Sequence, residues 1–367
     1  MNYISLAAGP FHFLYLDSDL NVWVYGNNRY GSLGIGVVES GEYGPTKLEG
    51  IPPMVAVAAG RSHSIFLDES GGVWGCGANY CNQLGRDEFL SKNSSPVPLQ
   101  LDATIQAICC GSNHTICLDD KGIVWAAGDN SQGQIGLGYP TPNSPGFPIQ
   151  TIASLSNVVA IHASGDYSLF LDTEGSVWIC GNDYSQASPG FSQYKIPIFS
   201  PSKITLPPIK YISGGEKTHF FVDLNGFIWA RGGNAFGELG LGTKNVIVKH
   251  ATKSDSLRNI RSCCSGSNFS LFIDEEGSVW SVGRNDAGAL GLGNLVASHS
   301  PEKVEGIPPI YFAVCGRTYT LLVDYCGCLW KCGIRDGEPS AFCVLQKVEL
   351  EYPILVPQSR TKSARKI

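Results

Sequence analysis

The chain is built from short apolar runs cut by turn residues, and the cuts recur in a fixed order. Val55 to Gly60 reads VAVAAG, apolar until a glycine stops it, and His63 to Asp68 reads HSIFLD, alternating until an aspartate opens a turn. A third run starts at Val73–Trp74 after Gly71–Gly72. A glycine-rich loop follows the third run, as in GNAFGELGLG at 233–242, with departures in the fourth and seventh copies, and a short fourth run lies near proline, as in Pro301 to Ile307. Runs of this length between turn signals predict β-strands, and no stretch carries a helical period.

The four-strand unit repeats. All seven tryptophans, Trp23, Trp74, Trp125, Trp178, Trp229, Trp280 and Trp330, stand 50 to 53 residues apart. Six residues before each lies an aspartate (Asp17, Asp68, Asp119, Asp172, Asp223, Asp274, Asp324), and three residues after each lies a glycine. Eight residues before each aspartate there is a glycine in six units, with Ser164 in the fourth. Asp-x-x-Gly suits a tight hairpin, because the carboxylate caps the turn and glycine accepts positive φ. The tryptophan face suits packing between neighbouring sheets. One such sheet cannot bury both faces, whereas a closed ring can, so the pattern predicts an all-β fold, a seven-bladed β-propeller of four-stranded antiparallel blades. The blades fall at about 2–51, 52–102, 103–153, 154–207, 208–258, 259–308 and 309–350, all in one domain, with a flexible basic tail at 351–367. Both ends of the ring lie at a blade boundary. Closure then rests on face packing between blades one and seven, with a blade shared by both termini as the alternative.

Composition narrows the function classes. Charged residues are only 16% and the net charge is −6, which disfavours a nucleic-acid partner because that needs a basic face. The 13 cysteines sit mostly in apolar runs, which implies a reducing compartment, cytoplasmic or nuclear, and thiols packed as small apolar groups. Cys326, Cys328 and Cys332 match no zinc spacing and are read as strand packing. No secretory signal and no apolar run long enough to span a membrane stand in the sequence. No catalytic triad, phosphate loop or paired carboxylate is present, so neither enzymatic turnover nor a cofactor, metal or small-molecule substrate is expected.

GRSHSIFLDESGGVW at Gly60–Trp74 and GSNHTICLDDKGIVW at Gly111–Trp125, each followed by a loop of the G-x-N-x-x-G-x-L-G kind, resemble the regulator of chromosome condensation repeat family over nearly the whole chain. The resemblance implies a seven-bladed propeller. The founding member is an exchange factor for the small GTPase Ran; others are ubiquitin-ligase or kinase modules, bacterial effectors or inhibitors. It therefore implies a monomeric protein-binding propeller, exchange factor-like toward a small GTPase, or else a scaffold, adaptor or inhibitor without exchange activity.

The same resemblance points to residues. GDNSQGQIGLG at 128–138 is similar to the wedge of the Ran exchange factor's third blade and brings forward Asp129 and Asn130, with Gln132 and Gln134. Asp166, in ASGDYSLFLD, falls in an acidic loop slot, and Glu216 holds a similar place in the fifth repeat. Two family slots depart: the first-repeat acidic slot holds Arg29, and the late histidine slot of repeat six holds Phe269. His12, His63 and His114 share one repeat slot and are read as structural. Tyr184, Phe191 and Tyr194, in the irregular loop of repeat four, are a second candidate patch. Arg360, Lys362, Arg365 and Lys366 make the C-terminus basic, as in a nuclear-import signal or an acidic-partner contact.

Overall fold

Each sequence unit folds as one sheet of four antiparallel strands paired in chain order, seven sheets in all. The computed structural model describes residues 5–86, 91–139, 146–186, 197–243, 245–334 and 342–356. Blade one comprises Leu6–Ala8, His12–Leu16, Val22–Asn27 and Glu42–Lys47. The first strands of the other blades are Met54–Ala59, Ile105–Cys110, Val158–Ser164, Ile209–Gly214, Ile260–Ser265 and Ile310–Cys315. These strands line one channel of about 1280 Å³, so they are the innermost. Among the described residues the only helical turn is the short 3₁₀ segment Tyr184–Gln186, and no helix is long and apolar enough to cross a membrane.

Two strand expectations change. The second strand does not alternate: His63–Asp68 is buried at every position, because a blade packs on each of its faces. The outer strand of blade six is Ser298–Lys303, earlier than Pro301–Ile307, because Gly283 and Trp280 of the third strand pair with Ser298 and Lys303.

The tryptophan–aspartate register has a direct cause. In every blade the indole Nε1 donates to the aspartate six residues earlier, from Trp23 to Asp17 Oδ2 at 2.8 Å through Trp330 to Asp324 Oδ2 at 3.0 Å. The other carboxylate oxygen closes the turn. Asp68 Oδ1 accepts the amides of Ser70 (2.9 Å) and Gly72 (2.8 Å), while Gly71 takes φ 86°. Burial opposes ionisation of Asp68, but the bonds from Ser70, Trp74 and Gly72 outweigh it and hold the carboxyl below its ordinary range. In blade one the glycine is replaced by Leu20, which takes φ 64°. Each indole also packs on the apolar cluster between its own blade and the preceding one, as Trp125 does on the cluster of blades two and three. Trp125 is half-buried rather than enclosed. Trp125→Phe, which keeps a ring but removes the donor to Asp119, is therefore expected to cost about 1–2 kcal/mol. Denaturant unfolding checks this, and an unchanged midpoint would remove the bond from the account.

No blade is shared. The ring closes where Phe13, Tyr15 and Trp23 of blade one pack with Tyr319, Leu321 and Leu329 of blade seven. Tyr319 Oη donates to Gly9 O at 2.7 Å. The region assigned to a flexible tail begins differently. Ile354 N donates to Gly327 O (3.0 Å) and Leu355 N to Leu16 O (2.9 Å), so the chain crosses from blade seven onto blade one. Ile354 is buried in the joint, and Tyr352 lies 5.5 Å from the Trp23 ring. The basic residues at 360–366 lie outside the described residues.

Candidate functional site

Two loops of every blade emerge at the same end of the ring. One joins the first and second strands; the other, glycine-rich except in blades four and seven, joins the third and fourth. Main-chain bonds tie them together, as from Asp129 N to Asn113 O (2.9 Å) and from Ala78 N to Ser62 O (2.8 Å). The first loops are packed blade to blade round the channel mouth. A Cβ on Gly60 would collide with the His63 ring and lie 2.8 Å from Gly111 O, and one on Gly111 would collide with the His114 ring and lie 2.8 Å from Gly165 O. The buried ring of the same blade, and then the carbonyl of the next, leave room only for glycine at these positions. Ser112 N donates to Gly165 O (2.7 Å) and Ser267 N to Arg317 O (3.1 Å) across neighbouring blades.

The three repeat histidines support this end from beneath. His12 Nε2 lies 2.9 Å from Ser64 Oγ, His63 Nε2 lies 3.2 Å from Thr115 Oγ1, and His114 Nε2 lies 2.9 Å from Ser168 Oγ. Each hydroxyl donates its one proton to a loop carbonyl, those of Ser32, Gln83 and Gln134 respectively. The imidazole must therefore donate through Nε2–H. Burial pushes His63 down to about 3 and His114 down to about 4, so both are neutral at physiological pH. Their structural reading stands on this geometry.

The candidate contact residues divide by position. Glu216 is exposed at the channel mouth with Arg61 and Arg317, and its Oε2 accepts from Ser267 Oγ at 3.0 Å. Asp166 is half-buried in the neighbouring loop, where Gly165 abuts the Glu216 backbone. These residues make a mixed-charge rim. Asp129 stands on the third-blade loop, half-buried, and its carboxylate caps Ser131 N at 2.8 Å. Asn130 is 1% exposed; its Nδ2 donates to Tyr139 O (2.9 Å) and its Oδ1 accepts from Ile135 N (3.2 Å). Gln134 is likewise buried. The whole segment lies down on blade four, with Gly138 N bonded to Phe199 O at 2.8 Å. Asn28, Asn234 and Asn285 make the same two kinds of bond in their own loops. The recurrence of asparagine in this slot was the available signal that it holds the loop.

Tyr184 is half-buried with Lys217 Nζ 5.9 Å from its ring centroid, whereas Phe191 and Tyr194 lie outside the described residues. Cys326 and Cys328 are turn positions whose amides Asp324 holds, and Cys332 faces Ala289 O. Among the described residues no three metal-ligating side chains converge.

One group escaped the sequence reading. Between blades four and five, Arg231 Nη2 donates to Asp183 Oδ2 at 2.9 Å, and His219 Nδ1 lies 3.8 Å from Asp183 Oδ1. Arg231 and Asp183 are 8% and 2% exposed and His219 is fully buried. Burial works against ionisation of Asp183, yet its basic neighbours hold the carboxyl below its ordinary range. Arg231 is the cation at neutral pH, since burial holds His219 down to about 3.

A sequence profile of the RCC1-like domain matches residues 44–339. The chain belongs to the RCC1-like domain family. The RCC1-like chain is 27% identical to the regulator of chromosome condensation of Xenopus laevis over 323 residues, 83% of this chain and 76% of that protein. It is 28% identical over 282 residues to the human probable E3 ubiquitin-protein ligase HERC6, covering 73% of this chain but only 27% of the ligase. Among solved structures, Prp20p of Saccharomyces cerevisiae, characterised for its binding to Gsp1p and histones, superposes with a TM-score of 0.74 at 25% identity, over 86% of this chain and 80% of that one.

Proposed function

We propose that this RCC1-like propeller is a nuclear or cytoplasmic protein-binding module that acts on a small GTPase as an exchange factor-like regulator, through the loop face at the channel mouth. The observation that carries the reading is the mixed-charge rim of Arg61, Asp166, Glu216 and Arg317 on first loops packed blade to blade and tied by the hydroxyls of Tyr167 to Gly215 O (3.0 Å) and of Tyr319 to Gly9 O (2.7 Å). A rigid, charge-patterned face suits a protein partner, giving orientation and encounter rate without an ordering cost. Nucleotide release needs no bond chemistry, only competition for the phosphate-binding region of the GTPase. Asp166 and Glu216 are the acidic contacts, with Asp129 at the edge; Asn130 acts indirectly by holding its loop. The second reading, a scaffold without exchange activity, is favoured by the ligase relative, in which the matched propeller is about a quarter of the chain.

Release of fluorescent GDP from a panel of small GTPases separates the two. An exchange factor accelerates release when present well below the GTPase concentration, whereas a scaffold binds and leaves the rate alone. Asp166→Ala with Glu216→Ala is expected to weaken binding or exchange about tenfold or more, a change of about 1.4 kcal/mol, with the melting temperature nearly intact. If that pair changes nothing and Tyr184→Ala abolishes binding, the partner sits on the fourth-blade loop instead.

A further inference from the structure

The channel wall carries a feature that the loop-face reading does not use. Cys264, in the inner strand of blade six, and Cys315, in the inner strand of blade seven, place their sulfurs 2.9 Å apart. Both are free thiols, both are half-buried, and both line the channel. The separation is shorter than the contact distance of two unbonded sulfurs and about 0.9 Å longer than an S–S bond. Among the described residues no other pair of cysteine sulfurs lies within hydrogen-bonding reach. The preceding seam offers a comparison. There the equivalent slot holds Ser213, whose hydroxyl donates to Cys263 O of the next blade at 2.8 Å. At the sixth seam the tie is thiol to thiol.

We propose that Cys264 and Cys315 are a redox-modification site, forming a reversible disulfide that joins the inner strands of blades six and seven within the channel wall. The oxidant is a low-molecular-weight disulfide, RS–SR, small enough to enter the channel. Burial, and then the bonded Cys264 thiol, push the Cys315 thiol well above the ordinary cysteine range, which suits it to the second, intramolecular step. The Cys264 thiolate displaces one RS⁻ and forms a mixed disulfide. Cys315 then attacks the Cys264 sulfur, forming the inter-blade bond and releasing the second RS⁻. The two thiol protons end on the two departing thiolates. The protein pair loses two electrons, and the small disulfide becomes two thiols. Reduction runs the same steps backwards. The bond needs little movement of the strands, because the sulfurs already meet.

The test uses the folded full-length chain, fully reduced and then incubated with glutathione disulfide. Free thiols are blocked with an alkylating agent before digestion and mass analysis. The expected product is a peptide containing Cys264 linked to one containing Cys315, lighter by two hydrogens and split by reductant. The melting temperature of the oxidised chain is expected to rise by several degrees over the reduced chain, and the rise to vanish in Cys264→Ser. The proposal is overturned if both cysteines remain fully alkylatable under conditions that oxidise the exposed Cys326, or if the linked peptides join other cysteines. The peptide measurement is made on the natural chain and holds even if Cys264→Ser does not fold. GTPase binding plays no part in it, so its failure and that of the loop-face reading are separable.

Discussion

Lowering the pH from 7 to 5 is expected to remove about 1–2 kcal/mol of stability for each of three histidines, the fully buried His63 and His114 and the half-buried His162. Burial lowers their pKa values to about 3, about 4 and about 4 in the folded ring, against 6.5 for an exposed imidazole. Between pH 6.5 and about 4 the unfolded chain therefore binds protons that the folded chain refuses. Stability falls as pH drops through that window and is fully present above it. Nor is there a local remedy for protonation, because His63 already donates through Nε2 and its Nδ1 has no partner. The combined loss is a large share of the 5–15 kcal/mol that usually holds a folded domain. Urea unfolding at a series of pH values measures it directly. A stability that stays flat from pH 7 to 5 would mean that the imidazoles are solvated and the histidine bonds are not the support described above. His63→Gln, which removes one titrating group, should make the profile shallower.

Asp183→Asn is expected to destabilise the propeller by about 3–5 kcal/mol, because it leaves the Arg231 guanidinium buried without its carboxylate. The comparison that isolates this cause is internal to the protein. At five of the six other seams the slot of Asp183 holds asparagine (Asn28, Asn79, Asn130, Asn234, Asn285), and the slot of Arg231 on the following blade holds Cys76, Ala127, Cys180, Val282 and Cys332; at the closing seam the two slots hold Arg335 and Tyr25. Cys76 and Cys180 approach the loop carbonyls of Ser32 and Gln134, both at 3.4 Å, where Arg231 instead reaches for Asp183. The double change Asp183→Asn with Arg231→Cys reproduces the pair at the first, third and sixth seams and is expected to recover at least half of the loss. A double-mutant cycle on urea midpoints reads the coupling. If the two losses simply add, the ion pair is not what joins blades four and five.

The parts of this structure that the sequence made legible are those whose partners lie close in the chain. Tryptophan, aspartate and glycine recur at offsets of six and three because they meet within one hairpin, so their register alone located the blades. The indole–carboxylate bond itself was within reach of the same offset, but the aspartate was read only as a turn cap. Contacts between blades were harder to see. Arg231 and Asp183 are 48 residues apart, and nothing local marks them as partners. A comparison of repeat slots would have shown both as exceptions. Asn130 illustrates the opposite error: its likeness to a wedge drew attention to one copy of a residue that holds the same loop in several blades. At the C-terminus the basic residues obscured the short apolar run Ile354–Leu355–Val356, which was the signal that the chain turns back onto blade one.

Because each blade is one unbroken stretch of chain, six of the seven seams are crossed by the polypeptide on its way from one blade to the next. Among the described residues the seventh is held by a clasp: the face packing around Tyr319 and Trp23, and the short crossing of Ile354 and Leu355 onto Leu16 and Asp17. A ring built in this way has a preferred place to open. Heat, tension or a protease that releases the clasp frees blade one from blade seven without breaking a sheet, and unravelling can then proceed blade by blade from either side. Relocating the chain ends to another linker, with the present ends joined, would move that opening point round the ring and leave the loop face unchanged.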